Sequence, residues 1–236
     1  MTVLIVTGTD TDVGKTVATA AVAAALQQAG NSVVVYKPTQ TGVQPGEAGD
    51  VAEVERLTGI AGVEGVRLRE PMAPPPAAAL EDAQLPTLAD HVATIERLAA
   101  SHDAVLVEGA GGLLVELTSA GETLADLAAT LPQSSTVVVA RPGLGTLNHT
   151  ALTLEALQRR QIRIAGVIIG SWRQDPSQVE LSNRRALADG PAPLLGVIAE
   201  GAGAMARDRF RAEATGWLPD LAAVVDASGR AARSVP

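Results

Sequence analysis

The chain has 236 residues, of which 47% are hydrophobic and only 2% aromatic, so alanine, valine, leucine and isoleucine have to build its core. This length supports one substantial core and does not require a second domain. The formal net charge of −8, with no block of lysine or arginine, argues against a nucleic-acid partner, and the absence of cysteine excludes disulfides and thiol chemistry.

The N-terminal stretch MTVLIVTG is apolar but lacks the basic region of a signal peptide. No apolar run approaches the ~20 residues that a membrane helix needs. We therefore expect a cytoplasmic protein without a membrane partner.

Short β-branched runs alternate with alanine-rich helical segments along the chain. Because several strands are apolar throughout, they are typical of a parallel sheet that helices cover on both faces. The predicted strands are 3–7, 33–36, 104–108, 136–141, 164–169 and 194–198, and the predicted helices are 15–29, 50–58, 88–100, 146–160 and 177–188. We expect one α/β domain over residues 1–225, a flexible polar tail over 226–236, and a surface crossover loop over the proline-rich segment 71–86, for which a substrate lid is the alternative.

The first strand leads into GTDTDVGKT, residues 8–16, which resembles a phosphate-binding loop. The strict pattern G-x-x-x-x-G-K-[ST] fails because Thr9 occupies the position of its first glycine. The preceding strand and the following helix nevertheless supply the expected context. Helix N–H groups would then hold phosphate oxygens, Lys15 would reach the terminal phosphates, and Thr16 would bind Mg²⁺. An ordinary glycine-rich turn is the alternative.

Three further polar residues lie where ligands bind in such a sheet, near the carboxyl ends of the strands. Lys37, in YKPTQTG, is a solvated strand end or a second cation that neutralises charge during phosphoryl transfer. Asp50 opens a helix, where the dipole alone favours a carboxylate. Glu108 ends a strand before GAGG, which is a tight turn or a close approach to a ligand. Together Thr16, Asp50 and Glu108 offer the hard oxygen ligands that Mg²⁺ prefers.

The motifs GTDTDVGKT, KPTQTG, VEGAGG, GTLNHT and PAPLLG occur in the order and approximate spacing of dethiobiotin synthetases. From residue 3 to about residue 201 the chain therefore resembles that family. The resemblance agrees with an α/β, single-domain P-loop NTPase-like fold with a mostly parallel sheet. It implies ATP- and Mg²⁺-dependent closure of 7,8-diaminononanoate with CO₂ to dethiobiotin, ADP and phosphate, through a carbamate and a carbamic-phosphoric anhydride, in a homodimer.

The resemblance also assigns residues to roles. Lys15 and Lys37 are the expected catalytic residues, and Thr16, Asp50 and Glu108 the expected Mg²⁺ ligands. The expected ATP-binding residues are Asp12, Val13, Gly14, Lys15, Thr16, Val17, Asp50, Glu108, Gly109, Ala110, Gly111, Gly170, Ser171, Ala199, Glu200 and Gly201. The expected substrate-binding residues are Thr11, Lys37, Thr41 and Gly111, together with Gly145, Thr146, Leu147 and Asn148 of the neighbouring subunit.

Two carboxylates are unexpected in a loop that binds a polyanion. By resemblance, Asp12 lines the nucleotide site, where it would lower the positive field of Lys15 and Lys37 and suit a cationic diamine. Asp10 is predicted to be structural and to hydrogen-bond the amides of its own loop.

One departure from the family concerns the nucleotide base. Gly170 and Ser171 stand where dethiobiotin synthetases often carry Asn and Asp to hydrogen-bond an adenine edge. Because glycine has no side-chain amide, we expect weak discrimination among bases.

Two other functions share parts of this pattern. Partition- or targeting-type switch ATPases resemble KGGxGKT, but their signature lysine is replaced here by Asp10. Amidoligases of the cobyrinate type carry a fused glutamine-hydrolysing domain with a cysteine nucleophile, whereas this chain contains no cysteine.

Overall fold

In the computed structural model, which describes residues 1–221, the chain forms one sheet with helices on both faces. The predicted tail 226–236 lies outside the described residues. Within residues 1–221 the strands are β1 Thr2–Gly8, β2 Val33–Gln40, β3 Gly62–Arg67, β4 Ala104–Gly112, β5 Ser134–Ala140, β6 Ile164–Trp172 and β7 Leu194–Ala199. The helices are α1 Lys15–Gln28, α2 Asp50–Thr58, α3 Pro74–Glu81, α4 Leu88–Ala99, α5 Leu124–Ala129, α6 Thr146–Arg159, α7 Gln178–Ala188 and α8 Arg207–Trp217.

The strands are arranged in the order β3-β2-β4-β1-β5-β6-β7, and every neighbouring pair is parallel. The α/β prediction with a parallel sheet is therefore confirmed. β1 lies between β4 and β5, so the residues that follow these strands meet at one edge of the sheet.

Two apolar clusters, one on each face, hold the helices to the sheet. Alternate residues of β1 divide between them, with Leu4 and Val6 in one cluster and Val3 and Ile5 in the other. The first cluster contains residues of α1, α2 and α8, and the second contains residues of α4, α5 and α6. Five of the nine buried residues of α1 are alanines, so this helix packs closely against the sheet, α2 and α8.

The prediction of a loop over 71–86 is wrong, because α3 occupies Pro74–Glu81. Prolines are tolerated in the first helical turn, where their missing N–H has no intrahelical partner, and alanines continue the helix. α3 packs in a small third cluster with Leu68 at its centre.

Three other elements were missed by the sequence patterns. The edge strand β3, GVEGVR, is only partly buried and contains two glycines, so it lacks the apolar run of an inner strand. The short α5 begins with a capping box in which Thr123 and Asp126 bond each other's backbone N–H groups. α8 is largely polar and is held through Phe210 and Ala214. Among the described residues, no helix combines the length and the hydropathy needed to cross a membrane.

Candidate functional site

The loop between β1 and α1 has the geometry of an anion-binding site. Gly14 precedes α1 in the left-handed region with φ 94°, and no side chain caps the helix, so its first N–H groups are free to bind a ligand. A Cβ on Gly14 would lie 2.7 Å from the carbonyl oxygen of Gly170, and a Cβ on Gly170 would lie 2.1 Å from that of Val13. Both glycines are therefore required for β6 to approach the loop, which explains why Gly170 has no side chain.

Lys15 is buried and lies folded back on its own loop. Its Nζ donates a 3.0 Å hydrogen bond to the carbonyl oxygen of Asp10. Burial lowers the pKa of Lys15, and the neighbouring Lys37 ammonium lowers it further. Lys15 thus has a hydrogen-bond partner in the protein that it can exchange for a phosphate oxygen.

Lys37 lies inside β2 and contacts residues inside β4 and at the start of α2. The prediction that Glu108 ends its strand is wrong, because β4 continues through the following glycines to Gly112. Its Nζ lies 2.5 Å from Asp50 Oδ2 and 3.0 Å from Glu108 Oε1, and it donates a 3.0 Å hydrogen bond to the carbonyl oxygen of Gly109. Burial alone would lower the pKa of Lys37, but the carboxylates of Glu108 and Asp50 outweigh burial and raise it. The ammonium is consequently held charged in a buried position.

The three predicted Mg²⁺ ligands lie around this ammonium. The Thr16 hydroxyl donates a 3.0 Å hydrogen bond to Glu108 Oε1. Burial would raise the pKa of Asp50, but the Lys37 ammonium beside it holds that pKa below its usual range. Glu108 Oε2 is buried and has no hydrogen-bond partner among the described residues.

This arrangement fits a hard cation. The unpaired Glu108 Oε2, the ionised Asp50 carboxylate and the Thr16 hydroxyl are oxygen donors from three elements that converge beside the phosphate loop. Their separation in sequence means that only the fold brings them together.

A cavity of about 800 Å³ opens at this edge of the sheet. It contains most of the phosphate-loop, metal and substrate residues expected from the sequence. Its lining comprises Thr11, Asp12, Gly14, Lys15, Thr16, Val17, Lys37, Gln40, Thr41, Gly42, Asp50, Pro71, Met72, Ala73, Pro74, Glu108, Ala110, Gly111 and Val115. Pro71 to Pro74 form part of the wall, so the proline-rich segment reaches the cavity through its first residues.

Some expected site residues lie outside this lining. Val13 is buried in the phosphate loop, and Gly109 contributes its carbonyl to Lys37. The residues expected near the base, Gly170, Ser171, Ala199, Glu200 and Gly201, follow or end β6 and β7. The residues expected to serve a neighbouring subunit, Gly145, Thr146, Leu147 and Asn148, form the start of α6, and the exposed Leu144, Leu147 and Leu152 surround it.

Gln40 is a site residue that the sequence patterns missed. It is 5% exposed, lines the cavity, and its Oε1 accepts a 2.7 Å hydrogen bond from the backbone N–H of Asp50. Because α2 has Gly49 at its N-cap and no side-chain cap of its own, Gln40 supplies the cap from β2. Its position in KPTQTG was the available signal, but its partner lies ten residues away in another element.

Asp10 acts within its loop as predicted. Its Oδ1 accepts a 2.8 Å hydrogen bond from the backbone N–H of Thr11, which confirms the structural prediction. Its Oδ2 lies 2.5 Å from Arg141 Nη2, a partner that the sequence did not indicate. Asp12 lies beside it with φ 56° and lines the cavity.

The parallel sheet, the glycine-containing loop and the N-terminus of α1 define the α/β fold of P-loop NTPases. Solved structures agree on the fold. MinD from Pyrococcus horikoshii, complexed with Mg-ADP, is 18% identical with a TM-score of 0.54 over 98% of this chain and 96% of that chain. Chloroplast FtsY from Physcomitrella patens is 18% identical with a TM-score of 0.53 over 90% of this chain and 65% of that chain. At these identities the likeness concerns the fold alone.

Sequence relatives define the family more narrowly. A family model described as an AAA domain matches residues 2–205. The ATP-dependent dethiobiotin synthetase BioD of Streptomyces avermitilis is 52% identical over 100% of both chains. The enzyme of the same name from Rhodococcus jostii is 51% identical over 92% of this chain and 95% of its own. The one from Mycobacterium leprae is 51% identical over 90% of this chain and 93% of its own. The chain belongs to the dethiobiotin synthetase family.

Proposed function

We propose that the protein catalyses ATP- and Mg²⁺-dependent ring closure of 7,8-diaminononanoate with CO₂ to give dethiobiotin, ADP and phosphate. The observation that carries this proposal is the cavity of about 800 Å³, in which the phosphate loop and the expected substrate residues Thr11, Thr41 and Gly111 face the same space. The family relationship supports the choice of substrate.

The reaction has three bond-forming steps. One amine attacks CO₂ and loses a proton, which gives a carbamate. A carbamate oxygen attacks the γ-phosphorus of ATP and displaces ADP, which gives the carbamic-phosphoric anhydride. The second amine then attacks the carbonyl carbon, phosphate leaves with the C–O electron pair, and loss of a proton completes the cyclic urea.

The residues of the cavity suit these steps. Lys15, freed from the Asp10 carbonyl, would contact the terminal phosphates, and Lys37 would steady the carbamate and the transferred phosphoryl group. Thr16, Asp50 and Glu108 would hold Mg²⁺, which neutralises phosphate charge when bound. Asp12 lines the cavity and would attract a cationic amine.

A homodimer forms part of the proposal. Leu144, Leu147 and Leu152 are 82%, 43% and 57% exposed, respectively, which is unusual for leucines on one short segment. Within residues 1–221, no side chain caps the start of α6, so its first N–H groups can bind an anion. We propose that it binds the substrate carboxylate in the cavity of a second subunit.

A partition-type switch ATPase shares this fold but is disfavoured. Its signature lysine, five residues before the phosphate-loop lysine, is replaced by Asp10, and that carboxylate already pairs with Arg141 of the same chain. A binding protein without catalysis would not require Lys37 to be buried between two carboxylates.

The direct test incubates the protein with the diamine, ¹³C-bicarbonate and MgATP and detects dethiobiotin by mass spectrometry. We expect product whose mass rises with the label, and none with a Lys15→Ala variant or without ATP. Absence of product at high enzyme concentration would overturn the proposed function.

The shared site has a separate test by complementation. In a shared site, Lys15→Ala impairs the phosphate loop of one subunit and Asn148→Asp impairs the start of α6 that the other subunit contributes. A mixed dimer of the two variants therefore has one site in which both halves are unchanged. Random mixing should restore about a quarter of the wild-type activity, because half of the dimers are mixed and each has one good site of two. Sites built from single subunits would show no gain on mixing, and full activity of a monomer would also contradict the proposal.

A further inference from the structure

Asp10 contacts two residues of the phosphate loop and one residue that follows β5. Its carboxylate accepts the Thr11 N–H through Oδ1 and faces Arg141 through Oδ2, and its backbone carbonyl accepts the Lys15 ammonium. Movement of Asp10 would therefore move a loop amide and the phosphate-contacting lysine together. An unpaired carboxylate here would also repel the phosphates that the loop binds.

Arg141 approaches Asp10 from a fixed position. Arg141 directly follows β5, which pairs with β1. The carbonyl oxygen of Val139 in β5 also accepts a 2.9 Å hydrogen bond from the backbone N–H of Thr9 in the phosphate loop. On its other side, the Asn183 amide bonds the carbonyls of Pro142 and Gly143 at 2.9 and 3.0 Å. The Nε of Arg141 is buried, so the inner edge of the guanidinium lies against the protein while its outer edge meets Asp10.

We propose that Arg141 is a positioning residue for the nucleotide: it neutralises Asp10 and holds the phosphate loop in the shape that binds polyphosphate. The inference rests on the proposed function only in assigning nucleotide to this loop. The side chains of Arg141 and Asp10 are 40% and 49% exposed, and exposed ion pairs contribute little to folding. The pair should therefore affect nucleotide affinity much more than stability.

The test is titration of the full-length protein with MgADP by isothermal calorimetry at low ionic strength, since salt screens exposed charges. Arg141→Gln should weaken MgADP binding about tenfold and leave the melting temperature within about 2 °C of the wild type. Asp10→Asn in the same chain should restore affinity to within about threefold of the wild type, because asparagine keeps the acceptor for Thr11 and removes the repulsive charge.

Two controls sharpen the result. Arg141→Lys keeps the charge and should bind MgADP within about threefold of the wild type. Arg159→Gln removes an equal charge from an exposed ion pair with Glu155, also at 2.5 Å, and should leave the affinity for MgADP unchanged.

Three outcomes would overturn the proposal: unchanged binding by Arg141→Gln, a double variant as weak as that single variant, or a lysine variant as weak as the glutamine variant. Because MgADP binding does not depend on ring closure, failure of this inference is distinguishable from failure to form dethiobiotin.

Discussion

Replacement of Lys37 by methionine should destabilise the nucleotide-free protein strongly. Lys37 is 3% exposed and is the ammonium that contacts both Asp50 and Glu108. Methionine fills a similar volume but leaves two carboxylates facing each other. Asp50 is 31% exposed and can gain water. Glu108 is 1% exposed, and among residues 1–221 it retains only the Thr16 hydroxyl as a donor. The main loss of stability therefore comes from the Glu108 carboxylate, which stays buried without a positive partner.

Removing one partner of a buried ion pair typically costs about 3–5 kcal/mol. For a domain of this size, 1 kcal/mol corresponds to roughly 2–4 °C in Tm. The Lys37→Met variant should thus melt roughly 6–20 °C below the wild type. Adding Glu108→Gln removes the stranded charge, so the double variant should recover more than half of the loss.

The assay is scanning calorimetry at neutral pH with EDTA, since a bound cation would compensate the carboxylates. Arg209→Met, which breaks an exposed pair with Glu213, is the control and should shift Tm by less than about 2 °C. A Lys37→Met protein that melts within about 2 °C of the wild type would refute the reasoning, as would a double variant less stable than the single one.

Three further outcomes follow from the site and the core. Glu108→Gln should mainly lower turnover, and near-normal activity at saturating Mg²⁺ would contradict its assigned role as a ligand. ATP should be preferred over GTP or CTP by about tenfold or less in kcat/KM, because Gly170 leaves no room for a side-chain amide; a preference beyond about a thousandfold would show the interpretation to be wrong. Burial lowers the pKa of His91 below its ordinary value of 6.5. As the pH falls, His91 is therefore protonated in the unfolded chain before it is protonated in the folded protein, and stability declines below about pH 6.5. His91→Gln, whose amide can still bond Tyr36, should flatten the decline of Tm between about pH 7 and 5, and an unchanged slope would count against His91 as its source.

Local patterns were sufficient for the features that neighbouring residues encode. The apolar runs of the inner strands, the alanine-rich α1 and the strand-loop-helix context around Lys15 are each contained in a short window, so periodicity and composition predict them. The edge strand β3 and the proline-led α3 were missed because partial burial and a proline-rich composition obscure the same signals.

The candidate site divides in the same way. Its individual residues lie at or beyond the middle of a strand or open a helix, so the rule that ligands bind towards the carboxyl ends of parallel strands indicates Lys37, Asp50 and Glu108 from the sequence. The pairing of Gln40 with the Asp50 amide and of Asp10 with Arg141 was decided only by the tertiary structure. Arg141 and Asp10 are 131 residues apart in the sequence, and a pattern within a short window cannot predict a contact between residues so far apart. Strand order brings the ends of β1 and β5 side by side, and that order results from packing the whole chain into one sheet.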